Sequence, residues 1–428
     1  MTDWQITQGD SADVLQGIEG CSIDLLATDP PYGWDFMGKG WDKVLPDPSI
    51  WRECLRVLKP GAAACVMSGP RLDCLWRVCR DLEDAGFELE QTSFTWVYRS
   101  GFPKGQDFSK MADRRAGAER EVVGKKKFNP RDKESYVRHG EKNWSGGWDE
   151  DGGGEQPDIT SPATPLASAL AGQFSRGKVK PAFELIIWAR KPISEPTEFD
   201  NVVKWGTGAV NCGACMVPYE EGGGYEYQRC GGNPGWHERE MNRPAASDPA
   251  GRFPANILCQ DNALGEGSRY FDIDAWAEQH GLAEEGWAEA AEAGMLQVPK
   301  ASRREKQAGL DGLPKGQVIG GGGTNNTPDD VCGKYGSIKA KQTNFHPTCK
   351  PVRLFAYLIS LLAPTEGRVL DPFCGSGSTG VAAIQCGRSF IGVEMESAYV
   401  TIADARCQWA EENMPEPPQQ LSLEEQPE

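Results

Sequence analysis

The sequence predicts an α/β protein: one mostly parallel sheet with helices on both faces, assembled from two halves that lie far apart in the chain. Three observations carry this expectation. Residues 1–100 alternate short apolar strands with amphipathic helical stretches, and the same alternation returns after Pro351. The region between is rich in Gly, Pro and Trp, apart from PAFELIIWARKP at 181–192, which reads as one clear apolar strand. The last α/β segment is too short to bury a stable core by itself, so both ends are expected to share one sheet.

The elements follow in order. WQITQGD has strand alternation ending at Gly9-Asp10, and SADVLQGI reads as a short helix with Ser11 available as its cap. SIDLLATDPPYG is the next strand. It must stop at the two prolines, because neither can donate to a ladder and each pushes its predecessor toward extended geometry. SIWRECLRVLKPGAAACVMSG has apolar residues at helical spacing, a Pro-Gly stop, then a strand. RLDCLWRVCRDLEDAGF is an amphipathic helix ending at Gly86, and FELEQTSFTWVYRSG returns to strand character. KMADRRAGAEREVVG is read as a basic helix, while NWSGGWDEDGGGEQPDITSPATP and VIGGGGTNNTPDD read as turn-rich loops. Near the end, VRLFAYLISLLAP is a helix, and residues 367–412 run strand, glycine-rich turn, helix, strand, helix.

These readings divide the chain into an α/β half over 1–110, a basic and flexible insertion over 111–180, a core strand over 181–192, an irregular region over 193–340, a second α/β half over 341–412 and a disordered acidic tail over 413–428. No apolar run approaches the ~18–20 residues that span a membrane. MTDWQITQGD has neither a basic nor an apolar segment, so a cytoplasmic protein is expected. The fourteen cysteines have no repeated spacing and suggest reduced thiols in a chain of 428 residues. Cys212 and Cys215 form a close pair without a second pair at zinc-site spacing, so packing in a turn is favoured over a metal. A net charge of −17 argues against charge-driven binding to nucleic acid, yet Lys and Arg concentrate between Arg99 and Lys142. That local track, with Lys125, Lys126 and Lys127, and with Arg176, Lys178 and Lys180 further on, is the expected path for a polyanion.

Two motifs carry the chemistry. TDPPYG presents Asp29, Pro30, Pro31 and Tyr32 at the carboxyl end of a strand, the rim where open α/β sheets bind ligands. In DPFCGSGSTG at 371–380, Gly375 and Gly377 remove side chains where a ligand approaches backbone N–H groups at a helix start. Glu394 closes the next strand, FIGVE, at the distance usual for a carboxylate that accepts from ribose hydroxyls. The turn is neither G-x-G-x-x-G nor a Walker loop.

TDPPYG and LDPFCGSGSTG in one chain resemble the amino-methyltransferases of DNA, and their order resembles the β subgroup of that family. NFHPTCKPVRL at 344–354 is similar to the H-P-T-x-K-P segment that precedes the glycine turn there, and WVYRSGFPKGQ and PAFELIIWARKP resemble strands of phage-associated members. The resemblance implies a circularly permuted, Rossmann-like methyltransferase sheet, S-adenosylmethionine as cofactor and double-stranded DNA as partner. It implies target recognition by residues 193–340, and leaves a homodimer and an accompanying restriction nuclease open. It assigns the cofactor to Asp10, Thr348, Lys350, Asp371, Phe373, Gly375, Gly377 and Glu394, with Thr348 and Lys350 near its methionine end. Asp29 and the Pro30 carbonyl would accept hydrogen bonds from an exocyclic amine, and the Tyr32 ring would stack on an extruded base. Adenine N6 is favoured as the acceptor because N4-cytosine enzymes more often carry Ser at the position of Asp29. Cytosine N4, an RNA or protein-glutamine acceptor, and a noncatalytic DNA-binding derivative are the alternatives.

Overall fold

The computed structural model describes residues 3–34, 43–89, 92–98, 105–125, 158–175, 179, 182–217, 252–259, 264, 272–273, 276–277, 280, 303–310, 313, 316–319, 339–342, 344, 346 and 348–414. Its strands are β1 (Trp4–Gln8), β2 (Ile23–Thr28), β3 (Leu58–Ser68), β4 (Phe94–Val97), β5 (Val122–Lys125), β6 (Asp158–Thr160), β7 (Phe183–Arg190), β8 (Ile257–Cys259), β9 (Gly316–Ile319), β10 (Lys339–Gln342), β11 (Arg368–Asp371) and β12 (Ser389–Glu394). Eight of them form one sheet in the order β1-β12-β11-β2-β3-β7-β4-β8, and β5/β6 and β9/β10 form separate two-stranded ladders. The chain's two ends therefore do share a sheet: β11, from residue 368 onward, pairs in parallel with β2.

Pairing is parallel from β1 through β3, and β7 lies antiparallel between β3 and β4. The strand at 181–192 is thus a core strand, with its direction reversed relative to its neighbours. β2 is buried at every position, as expected for a parallel strand covered on both faces. The helices Val352–Leu362, Ser378–Gln385 and Ser397–Glu412 contribute to one apolar cluster, and Pro48–Val57 and Leu72–Ala85 to another. All eleven residues of Val352–Leu362 are buried, which is why that helix is apolar around its circumference.

Two local expectations are corrected. The side chain of Asp10, not Ser11, caps the helix Ser11–Val14, accepting from the Ala12 N–H at 2.9 Å. Ser11 instead donates to the Pro372 carbonyl at 2.5 Å, fastening the first helix to the glycine turn. Lys59-Pro60-Gly61 is not a stop before β3 but the start of the strand itself, where Gly61 sits at φ +78° and the β2/β3 register shifts.

That kink has a tertiary cause. Asn201 is fully buried and donates to the carbonyls of Pro60 at 2.9 Å and Thr207 at 3.0 Å, while its own oxygen accepts from the Ser194 N–H at 3.2 Å. A Cβ on Gly61 would lie 2.4 Å from the Asn201 amide nitrogen. The start of the 193–340 region is therefore bolted to the sheet, and β8 extends the sheet beyond β4. Asn201→Ala removes one partner from several buried groups at once. We expect it to cost about 2–3 kcal/mol of stability in urea denaturation.

Candidate active site

The chain leaves β11 through the helix Ser378–Gln385 toward β12, and leaves β2 through the helix Pro48–Val57 toward β3. Connections from two adjacent parallel strands thus diverge, and the crevice between their carboxyl ends is the switch point where such sheets bind ligands. Both motifs open onto it, since Asp371 ends β11 and Asp29 follows β2.

Asp371 joins them. Its carboxylate accepts from Thr28 Oγ1 at 2.6 Å, Thr379 Oγ1 at 2.6 Å and the Phe373 N–H at 3.0 Å, and it is 2 % exposed. It fixes the shape of the site instead of presenting an acceptor to solvent. Burial pushes its carboxyl up to about 6, against the opposing effect of those three bonds.

The glycine turn is set from below. Gly375 at φ +53° donates its N–H to Glu394 Oε2 at 2.9 Å, and Glu396 N–H donates to Oε1 at 2.8 Å. Each Glu394 oxygen retains a lone pair, so the carboxylate can still accept from a ligand hydroxyl. Burial raises the Glu394 carboxyl from its ordinary range, with the two N–H bonds opposing. A Cβ on Gly375 would lie 3.0 Å from His346 Nε2, and one on Gly377 would lie 2.9 Å from the Ala403 Cβ. The glycines are thus required by close packing as well as by ligand approach. The backbone of Asp10 follows β1 beside this turn, with the Gly9 N–H on the Glu394 carbonyl at 3.0 Å. The Phe373 ring packs 6.0 Å from that of Trp51, and the Thr348 N–H donates to His346 Nδ1 at 3.4 Å.

The acceptor side is a buried cluster of charges. Lys350 Nζ donates to Asp29 Oδ2 and lies 3.4 Å from Glu184 Oε2. Tyr32 OH is 2.7 Å from Asp29 Oδ1 and 3.3 Å from Glu184 Oε2, and Tyr98 OH donates to Glu184 Oε1 at 3.2 Å. Burial raises the Asp29 carboxyl; Lys350 opposes that rise and Glu184 adds to it. Burial alone would lower the Lys350 ammonium, but Asp29 and Glu184 reverse this and leave it above its ordinary value. Burial and the same two carboxylates hold the Tyr32 phenol well above its usual range. The Tyr32 ring meets Trp34 edge-on at 5.3 Å, and the Arg71 guanidinium covers Trp34 at 5.3 Å. Gly69 makes room for that indole, since a Cβ there would sit 2.2 Å from Cζ2.

The fold therefore gathers Asp10, Phe373, Gly375, Gly377 and Glu394 around the ends of β1, β11 and β12, and places Lys350 with Asp29. Three residues that sequence reasoning passed over hold the site together. Glu184 is an acid inside the apolar run FELIIWAR, an oddity that could have marked it, and Tyr98 follows β4. Arg406 is 1 % exposed and donates to the Ser376 carbonyl at 2.5 Å, pinning the turn from the helix Ser397–Glu412. Cys215 is buried against Val352–Leu362, with Sγ 3.6 Å from the Tyr357 carbonyl. Among the described residues no group of His, Cys, Asp and Glu has the arrangement of a metal site, and no helix is long and apolar enough to cross a membrane. Lys125 ends β5, while Lys126, Lys127, Arg176, Lys178 and Lys180 lie outside the described residues.

The family model described as DNA methylase, for N6 and N4 acceptors, matches residues 23–405, and the chain belongs to that family. The match includes both β2 and the glycine turn, so the two halves of the crevice fall within one family alignment. Among curated relatives, the type II methyltransferase M2.LlaDCHI of Lactococcus lactis subsp. cremoris is 40% identical over 74 residues, 17% of this chain and 28% of its own. M2.DpnII of Streptococcus pneumoniae is 44% identical over 63 residues, 15% of this chain and 24% of its own. The chain thus spans about a quarter of the length of these relatives. Among solved structures, the cytosine-N4-specific PvuII DNA methyltransferase is similar at 16% identity and a TM-score of 0.39, covering 95% of this chain and 86% of that one. M1.HpyAVI is similar at 13% identity and a TM-score of 0.36, covering 94% of this chain and 98% of that one.

Asp371 gives a stability test with a definite sign. Its native carboxyl titrates above the unfolded value of 3.8, so between there and about 6 the folded state holds a proton that the unfolded state has lost. Stability then falls as pH rises through that window, by about 2–3 kcal/mol from this group. In Asp371→Asn that slope should disappear, as measured by chemical denaturation across the same pH range.

Proposed function

We propose that this protein transfers a methyl group from S-adenosylmethionine to an exocyclic amine of a base in DNA, with adenine N6 as the acceptor. The observation that carries this is the placement of the Asp29 carboxylate at the end of β2, coupled through Thr28 and Asp371 to the glycine turn that ends β11. Acceptor chemistry and cofactor cradle then face one crevice.

The residues fit the cofactor. Gly375 and Gly377 keep the turn free of side chains, and the two Glu394 oxygens, each with one N–H partner, suit ribose hydroxyls. When bound, the sulfonium supplies a methyl group that is already electrophilic. An exocyclic amine is a poor nucleophile because its lone pair is delocalised into the ring. Hydrogen bonds from the amine to the Asp29 carboxylate and the Pro30 carbonyl draw that nitrogen toward tetrahedral geometry and free the pair, so positioning carries much of the rate. The base must leave the duplex stack to reach the crevice. Tyr32 offers its face to such a base, while its hydroxyl is tied to Asp29. Adenine rests on the resemblance of TDPPYG to the N6 enzymes; the family model spans both amines. Nucleoside analysis of methylated DNA decides this: N6-methyladenosine is expected, and N4-methylcytidine would reassign the acceptor.

Asp29→Ala should lower methyl incorporation into duplex DNA by at least about 10²–10³-fold, with cofactor affinity near that of the parent. Near-normal turnover would remove Asp29 from the chemistry. Glu394→Ala should do the reverse: calorimetry is expected to show a cofactor Kd raised by roughly tenfold or more for the loss of a charged acceptor. Unchanged affinity would place the ribose elsewhere.

A further inference from the structure

We propose that Glu184 is a positioning residue for the transfer reaction: by holding Lys350 against Asp29 it orients the Asp29 carboxylate and keeps it able to take up the proton that the methylated nitrogen gives up. This rests on the proposed function above. The geometry assigns it. Glu184 comes from β7, the reversed strand, and Lys350 from the segment before the helix Val352–Leu362. Neither lies in the TDPPYG or glycine motif, yet both end at Asp29.

The proton inventory makes Glu184 more than a filler. Tyr32 has one hydroxyl proton for two carboxylates, and the 2.7 Å contact to Asp29 is shorter than the 3.3 Å contact to Glu184. Tyr98 occupies the other Glu184 oxygen. Oε2 of Glu184 is then left to face Lys350, whose side chain is only 7% exposed. A single ammonium between two buried carboxylates cannot neutralise both. Such a cluster carries one net negative charge, which tightens the grip on Lys350 and raises the basicity of Asp29. The groups facing Asp29 are Lys350, Tyr32 and Glu184 directly, Tyr98 through Glu184, and Asp371 through Thr28.

The step balances. The nitrogen lone pair forms the N–CH₃ bond, the CH₃–S bond breaks with its electron pair left on sulfur, and the surplus N–H proton passes to Asp29. An Asp29 held too acidic by Lys350 alone would take that proton poorly. One that is too basic would already be protonated and unable to accept the amine hydrogen bond. Glu184 and Lys350 pull in opposite directions, and the pair places the carboxylate between these limits.

A merely structural ion pair would lose stability in either variant without moving the titration of Asp29 in opposite directions. The test is therefore the ¹³C-carboxyl NMR titration of Asp29, assigned by its disappearance in Asp29→Asn, alongside the acid limb of single-turnover methyl incorporation into duplex DNA. Glu184→Gln should lower the Asp29 midpoint by about one pH unit, and Lys350→Met should raise it by about as much. The acid limb of the rate should follow in both. Lys350→Met leaves two carboxylates unpaired and can fail to fold; the Glu184→Gln/Lys350→Met double variant avoids that, and its midpoint should lie above that of Glu184→Gln alone. Coincident midpoints, or shifts in one common direction, overturn the inference. Midpoints that move in the expected order while the acid limb stays still also overturn it, because Asp29 would then not govern transfer. Absence of methyl incorporation by the unaltered protein overturns the proposed function, a result the NMR titration reads separately.

Discussion

The hydrogen bond from Thr28 to the Asp371 carboxylate connects two parts of the chain that are 343 residues apart, and the rest of the site depends on it. Thr28 is the last residue before the Asp29 turn, and Asp371 is the last residue before the glycine turn. The same carboxylate holds Thr379 at the start of the next helix and the Phe373 N–H inside the turn. One buried acid thereby sets the spacing between the acceptor group and the cofactor cradle. Burying a carboxylate is costly unless its lone pairs are met, and here three donors meet them. Its raised carboxyl shows that the cost is not fully offset, and the fold retains it for the geometry it imposes.

The same logic runs through the acceptor cluster at higher charge. Asp29, Glu184 and Lys350 sit together with two phenols in a region that excludes most solvent. Such networks are expensive when any member is unsatisfied and rigid when all are met. Rigidity is what a reaction limited by positioning requires. The reversal of β7 makes the network possible, since it brings Glu184 to the same rim as the carboxyl end of β2. An isolated parallel strand at that place would deliver its other end.

The packing around the cofactor side follows from small residues and one large cation. Gly377 lets Ala403 approach the turn, and Arg406 reaches beneath it to the Ser376 carbonyl. Arg406 satisfies a carbonyl that the tight turn would otherwise leave buried. The helix Ser397–Glu412 thus acts as a backing plate for the turn, although nothing in its own sequence resembles a binding motif.

By itself the sequence determined the elements and their rim. Alternation and prolines marked β2 and its end at Thr28, apolar continuity marked Val352–Leu362, and the glycines with Glu394 marked the cradle. These are local matters: hydrogen-bond donors that proline lacks, backbone angles that glycine permits, and burial on both faces of a parallel strand. Tertiary structure alone decided the direction of β7, the role of Asp371 as a bracket instead of a ligand contact, and the meeting of Lys350 with Asp29. It also decided that Lys59-Pro60-Gly61 enters β3 instead of ending a helix, because Asn201 supplies the partners that Pro60 cannot find in the strand. Each of these depends on a group far away in the chain whose distance no local pattern records. Glu184 shows the boundary: its sequence setting marks a buried acid, and only the fold shows that its counter-charge is Lys350 and its neighbour Asp29.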